Sequence, residues 1–157
     1  MTSPNKSIKK KKQKNIVITG ANSGIGYAMA ELLLEQGNQV GVLDIVCDQI
    51  LDLKQYYPEE LVIAKCDMSQ DIEVERSMKL FEKKFHTIDI FINNACWIEP
   101  KRFSEKTIEE LEKEMQVNFF GYARGIKAIL PYMKKQGYGV IHNFSSTVGA
   151  TGYAGQS

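Results

Sequence analysis

Three glycines near the start of the chain have a spacing that could hold a phosphate group. Gly20, Gly24 and Gly26 follow the apolar run NIVIT and precede a segment of helical periodicity. Glycine permits a tight turn, and it lets an anion approach main-chain N–H groups and the positive end of a helix dipole. The spacing G-x-x-x-G-x-G could also arise as a chance cluster of glycines. The motif therefore needs support from the residues around it.

An acidic residue at the end of the next apolar run provides that support. Asp44 stands twenty positions after Gly24, within QVGVLDI. A carboxylate there can hold a ribose hydroxyl, so the three features together indicate a dinucleotide site, although an ordinary turn or cap role for Asp44 is the alternative. The same carboxylate would repel a ribose 2′-phosphate, and neither the glycine loop nor LDIVCD contains arginine or lysine. We therefore expect NAD rather than NADP.

One amide interrupts the longest apolar stripe of the sequence. The stripe advances in steps of three or four residues from Ile108 to Met133 and includes Asn118. It predicts one long helix, although two glycines and Pro131 weaken that prediction locally. A buried amide without partners costs about 1–3 kcal/mol, so Asn118 should be hydrogen-bonded. It is either a structural amide bonded to backbone or part of an active site.

The elements that must position these residues are five short apolar runs alternating with helical segments. The runs are NIVIT, QVGVLDI, LVIAKCD, IDIFINNA and GVIHNFSS. The apolar faces of the two clearest crossover helices are Ile25, Ala28, Met29, Leu32 and Leu33, then Val74, Met78, Phe81 and Phe85. Strand-helix-strand repetition with right-handed crossovers predicts an α/β fold, a doubly wound parallel sheet of Rossmann type, with ligands at the carboxyl ends of the strands.

The composition suits one soluble domain and disfavours several other classes of protein. The chain has 157 residues and a formal net charge of +1. Residues 1–14 are lysine-rich and should form a disordered tail. No aromatic residues interleave its lysines, so we expect no binding to nucleic acid or membrane. No apolar run approaches the ~20 residues of a membrane span. The domain 15–157 is therefore expected in the cytoplasm, with reduced cysteines and no metal site.

Taken together, the motifs resemble those of the short-chain dehydrogenase/reductase family. The resemblance rests on TGANSGIG, on Asp44, on NNAC at 93–96, on VNFFG around Asn118 and on FSS ending at Ser146, which occur in family order. It implies an oxidoreductase that transfers a hydride between NAD and a small secondary alcohol or ketone. It also implies a homo-oligomer for a full-length form. The cofactor-binding residues that it implies are Gly20, Asn22, Ser23, Gly24, Ile25, Gly26, Asp44, Asp67, Met68 and Asn94.

The resemblance also implies a role for individual residues. Asp67 and Met68 would border the adenine, and Asn94 would contact the neighbouring ribose. Asn118 would position a water molecule in a proton relay. Ser146 would hydrogen-bond the substrate oxygen, with Ser145 as the alternative.

Two features depart from the family pattern. Cys96 stands where the family usually has glycine, and we expect it to be a small packed thiol that narrows the nicotinamide pocket. The family tyrosine and the lysine four positions later would fall just beyond Ser157; Tyr153 comes too early, has no following lysine and should be a loop residue. We therefore expect a family member truncated after its fifth strand and lacking this catalytic pair. The alternative is a catalytically silent dinucleotide-binding or interaction module.

Overall fold

The computed structural model describes residues 12–151, which form one parallel sheet with helices on both faces. All five predicted runs form strands, and these are β1 Asn15–Thr19, β2 Gln39–Asp44, β3 Leu61–Lys65, β4 Ile90–Asn93 and β5 Val140–Asn143. The order is β3-β2-β1-β4-β5 with every pair parallel. The predicted doubly wound, Rossmann-type fold is therefore confirmed. The strand order reverses between β1 and β4, which leaves a crevice at their carboxyl ends.

Five α-helices connect the strands. They are α1 Gly24–Glu35, α2 Ile50–Tyr56, α3 Asp71–Phe85, α4 Ile108–Met115 and α5 Gly121–Gln136. The predicted single long helix is wrong in one respect, because a π-helical turn, Gln116–Phe120, separates α4 from α5. Sequence periodicity did not predict α2, since its seven residues are too few to show a pattern. Among residues 12–151, no helix is long and apolar enough to cross a membrane.

The hydrophobic core has one layer on each face of the sheet. On one face, α3 and α5 cover the strands, and the predicted α3 positions Val74, Met78, Phe81 and Phe85 are all buried. On the other face, α1 and α2 pack against the strands. Burial from both sides explains why β1 and β2 read as continuous apolar runs.

The predicted apolar face of α1 is correct only in part. Met29 and Leu33 pack against the core, whereas Ile25, Ala28 and Leu32 are exposed. The fully buried positions are Gly26, Ala30 and Leu34. Gly26 packs against the glycine turn at a distance that only glycine permits, since a Cβ there would lie 2.2 Å from the carbonyl oxygen of Gly20. A hydrophobic pattern could not reveal this, since glycine at position 26 adds nothing to the pattern, whereas Ile25 and Leu32 are apolar and yet exposed.

Two residues assigned to the lysine-rich tail contact the domain. The Gln13 side chain donates to the carbonyl of Gly37 at 2.9 Å, and Lys14 Nζ lies 3.2 Å from Asp89 Oδ1. The predicted boundary of the tail at residue 14 stays a prediction. The rest of that tail, residues 1–11, and Tyr153 lie outside the described residues.

Candidate functional site

A cavity of about 560 Å³ lies at the carboxyl ends of the first four strands. It brings together eight of the ten residues predicted to contact the cofactor, namely Gly20, Ser23, Ile25, Gly26, Asp44, Asp67, Met68 and Asn94. Within residues 12–151, the lining includes neither Asn22 nor Gly24. A wider groove of about 710 Å³ runs along the outer side of α4 and contains none of the predicted site residues. The smaller cavity is therefore the candidate site.

The turn between β1 and α1 excludes side chains at two positions. Gly20 has φ +68°, and a Cβ there would lie 2.6 Å from Ala95 Cα; a Cβ at Gly26 would lie 2.7 Å from Asn94 Nδ2. Gly24 has φ +57° with open space around it, so it serves the turn and not the packing. Close approach thus requires glycine at Gly20 and Gly26, and backbone conformation requires it at Gly20 and Gly24.

The N-terminus of α1 is left free to bind an anion. Ser23 occupies the N-cap position, but its side chain makes no capping hydrogen bond, and the first turn contains no acidic residue. The first N–H groups of a helix lack intrahelical partners, and they carry the positive end of the dipole. Because Ser23, Ile25 and Gly26 line the cavity, a phosphate group bound there fits this end of the helix.

Thr19 and Asn94 tie the glycine turn to β4. Thr19 Oγ1 accepts hydrogen bonds from the backbone N–H groups of Asn94 and Ala95, each at 3.0 Å. Asn94 Nδ2 donates to the carbonyls of Thr19 at 3.0 Å and Gly20 at 2.8 Å. The Asn94 nitrogen is thus engaged, and its Oδ1 is the atom free to accept from a ligand. Sequence reasoning missed Thr19, whose signal is a polar residue that closes an apolar strand.

Asp44 is fixed at the end of β2 by two backbone groups. Its Oδ2 accepts from Asn22 N–H at 2.8 Å, and its Oδ1 accepts from Val46 N–H at 3.2 Å. Each carboxylate oxygen retains another lone pair, so Asp44 can accept from two further hydroxyl groups. The side chain of Asn22 serves the fold instead: its Nδ2 donates to Asp48 Oδ1 at 2.8 Å, and its Oδ1 accepts from Ile50 N–H at 3.1 Å. The backbone N–H and the side chain of Asn22 are thus all bonded within the protein, and its role as a cofactor contact stays a prediction.

Asn118 lies in the π-helical turn, and both ends of its amide are bonded to one residue. Its Oδ1 accepts from the backbone N–H of Trp97, and its Nδ2 donates to the carbonyl of Trp97, each at 2.8 Å. The prediction that this amide has partners is confirmed, and the partners are backbone groups. Trp97 and Val117 both line the cavity, so Asn118 borders the site while its side chain holds the wall. A direct catalytic role for Asn118 stays a prediction.

An arginine stabilises the π-helical turn. Arg124 donates from Nη1 to the carbonyl of Gln116 at 3.0 Å, from Nη2 to the Gln116 side-chain oxygen at 2.7 Å, and from Nε to Asp71 Oδ1 at 2.6 Å.

The apolar stripe that predicted the long helix is exposed in its first part, since Ile108 is 66% and Met115 is 51% accessible. The stripe therefore points to the core only beyond the π-helical turn.

Ser146 follows β5 at the same edge of the sheet as Asn94, because β4 and β5 are paired with Asn93 opposite Asn143. Ser145 and Ser146 are both exposed, and Ser146 Oγ accepts from Val148 N–H at 3.4 Å. Neither serine is among the described residues that line the cavity. The choice between them as the substrate-binding hydroxyl stays a prediction.

Cys96 lines the cavity beside Trp97. Burial raises the pKa of its thiol, and the negative charge of Glu114 raises it further. The thiol is therefore protonated at neutral pH, which makes it a poor nucleophile. Cys96 as a whole is nevertheless exposed, so the expectation of a packed thiol is wrong, and a narrowing of the nicotinamide pocket stays a prediction.

Comparison with known proteins assigns the family. A family model described as short chain dehydrogenase matches residues 14–157. The chain belongs to the short-chain dehydrogenase family. Its relatives include an uncharacterized oxidoreductase of Staphylococcus saprophyticus, which is 36% identical over 148 residues and is matched over 93% of this chain and 60% of the relative.

Two further proteins show the kind of cofactor that the family uses. The NADP-dependent 3-hydroxy acid dehydrogenase of Escherichia coli is 29% identical over 143 residues, covering 89% of this chain and 57% of that protein. The 3-ketoacyl-(acyl-carrier-protein) reductase of Brucella melitensis, solved with NADH, has a TM-score of 0.85 and 25% identity over 91% of this chain and 61% of that one. The chain spans about 60% of the length of such relatives, and the family supports a nicotinamide cofactor.

Proposed function

We propose that this short-chain dehydrogenase binds NAD and belongs to an oxidoreductase that transfers a hydride between NAD and a secondary alcohol or ketone. The observation that carries the proposal is one continuous cavity that joins the glycine turn, the uncapped N-terminus of α1 and Asp44. These are the three features that a dinucleotide requires, and they come from separate segments of the chain. NAD, when bound, supplies the acceptor or donor of the hydride.

Each part of the cavity has a role in this proposal. The free N–H groups at the start of α1 hold the pyrophosphate, and Asp44 accepts the hydroxyl groups of the adenosine ribose. Asp67 and Met68 border the adenine. Met68 is only 5% exposed, but it lines the cavity, where its side chain offers an apolar surface to the base. Asn94 Oδ1 faces the neighbouring ribose. The residues present thus fit the cofactor without rearrangement of the glycine turn.

We propose a preference for NAD over NADP because Asp44 would repel a 2′-phosphate. Two lysines oppose this preference: exposed Lys65 stands opposite Asp44 in the β2–β3 register, and Lys113 lines the cavity. Asp44 is held by two N–H bonds at the ribose position, whereas Lys65 makes no hydrogen bond or ion pair that would fix it among the described residues. The fixed carboxylate should therefore outweigh the unrestrained lysine.

The test of cofactor choice is direct titration. Trp97 is the one tryptophan of the chain, and it lines the cavity, so energy transfer from Trp97 to the reduced nicotinamide reports binding. NADH should bind at least tenfold more tightly than NADPH, a difference of about 1.4 kcal/mol. Asp44→Ala should remove the preference, and Lys65→Ala, the matched control, should increase it. Tighter binding of NADPH by the unaltered chain would contradict the preference for NAD.

We propose that the proton-transfer step needs a tyrosine and a lysine four positions later, which the 157 residues do not supply after Ser146. No tyrosine after Ser146 has a lysine four positions later, and loss of a general base typically costs about 10²–10⁴ in rate. The 157-residue chain should therefore bind NADH without measurable oxidation of secondary alcohols. A version extended through a tyrosine and lysine at the family positions should gain turnover. Turnover by the unextended chain within tenfold of the extended one would refute this division of roles.

A further inference from the structure

The segment Trp97–Lys101 begins with a residue that lines the cavity, and it is held by three residues of a single helical face. Glu110 binds the ammonium group of Lys101, Glu114 Oε1 accepts from the backbone N–H of Glu99 at 3.0 Å, and Asn118 binds both backbone groups of Trp97. We call Glu110, Glu114 and Asn118 the α4 clasp. The three residues recur every four positions, and their partners recur every two positions in the opposite direction.

This spacing follows from the geometry of a helix beside an antiparallel segment. Four residues of α-helix rise about 6 Å, and two residues of extended chain span about 6.6 Å. A segment that runs antiparallel to the helix can therefore meet one clasp residue with every second position. The Trp97 ring also contacts Lys113, whose Nζ lies 4.1 Å from its centroid.

The middle residue of the clasp is itself held by a buried charge. Lys106 Nζ lies 2.6 Å from Glu114 Oε1; the side chain of Lys106 is 0% exposed and that of Glu114 is 11% exposed. Buried ionic groups need a partner, because both charges lose their hydration. Lys106 therefore fixes the carboxylate oxygen that accepts from Glu99.

We infer that Glu114 is a positioning residue for the cavity: by accepting from the N–H of Glu99 it fixes the segment Trp97–Lys101, whose first residue, Trp97, lines the cavity. This inference rests on the proposed function in one respect, that the ligand of the cavity is NAD. Trp97 lines the cavity and is two residues from Glu99, whereas Glu114 does not line it. Release of Glu99 would make the segment that carries Trp97 more mobile. Cofactor binding would then have to order this segment, which weakens binding.

Two double variants separate this role from the burial of charge. Glu114→Gln with Lys106→Met keeps a side-chain oxygen for Glu99 and removes both charges. Glu114→Leu with Lys106→Met also removes both charges but offers no acceptor. The two variants differ at position 114, where Gln can accept from the Glu99 N–H and Leu cannot. Both variants also avoid leaving a buried ammonium group without a partner. NADH affinity, acrylamide quenching of Trp97 fluorescence and melting temperature are measured on each.

The Gln-containing variant should bind NADH like the unaltered chain and protect Trp97 to the same extent. The Leu-containing variant should bind about tenfold more weakly, as expected when one buried donor loses its acceptor, and its Trp97 should be quenched more readily. Equal affinity and equal quenching in the two variants would overturn the inference.

Two further outcomes keep the test decisive. If the unaltered chain binds no NADH, the proposed cofactor is wrong, and the quenching comparison still decides the role of Glu114. If the Leu-containing variant does not fold, hydrogen exchange of the Glu99 amide in the unaltered chain replaces it. Slow exchange supports the clasp, and exchange at the rate of an unprotected amide overturns it.

Discussion

Replacing Gly26 with alanine should destabilise the fold, although helix propensity predicts the opposite. Alanine is favoured over glycine inside a helix by about 1 kcal/mol, and Gly26 lies in the first turn of α1 with no positive φ. Propensity alone would therefore make the variant more stable. The structure places a Cβ at this position 2.2 Å from the Gly20 carbonyl oxygen and 2.8 Å from Ala21 Cα.

The size of the effect follows from these contacts. Both atoms belong to the backbone, so no change of rotamer can relieve the overlap. The start of α1 would have to move away from the glycine turn by about 1 Å to reach an ordinary contact distance. Overpacking of this kind costs about 1–3 kcal/mol, and a rigid neighbour places it at the upper end. After subtraction of the propensity gain, we expect a net loss of about 2 kcal/mol.

Gly24→Ala is the matched control, because it tests backbone strain without overlap. Gly24 has φ +57°, and a Cβ there would meet no atom of the described residues within 4 Å beyond its chain neighbours and its own helix backbone. Alanine should therefore cost about 1 kcal/mol through the left-handed conformation alone. Urea denaturation followed by circular dichroism gives both free energies of unfolding. If Gly26→Ala proves as stable as the unaltered chain, or more stable than Gly24→Ala, the close approach of α1 to the turn is refuted.

Three further predictions concern the wall of the cavity and the thiols. Lys106→Met alone should lower the free energy of unfolding by about 3–5 kcal/mol, and adding Glu114→Gln should recover most of it, as urea denaturation would show. Asn118→Leu should weaken NADH binding in a titration, and unchanged affinity would argue against its role in the wall. Burial raises the pKa of Cys66 to about 11, so iodoacetamide at pH 8 should modify exposed Cys96 first; mass spectrometry that finds Cys66 modified first would contradict this.

Local sequence was sufficient where a structural element depends on its own residues. The strand runs and the buried face of α3 follow from apolar periodicity, and all four predicted α3 positions are buried. The glycine turn was also predictable, because glycine is required by backbone conformation at Gly20 and Gly24, which have φ of +68° and +57°. The same motifs, with Asp44 at the end of β2, were enough to indicate the family.

Tertiary structure decided the features that depend on contacts between distant segments. The buried face of α1 is set by the approach of Gly26 to Gly20 and Asn94, and hydrophobicity predicted a face that overlaps it only at Met29 and Leu33. The partner of Asn118 is the backbone of Trp97, 21 residues away, and a sequence cannot show which backbone groups will lie beside a side chain. The buried pair of Lys106 and Glu114 is likewise invisible in the sequence, where both residues read as solvent-facing charges, because burial depends on how the segment after β4 folds back on α4.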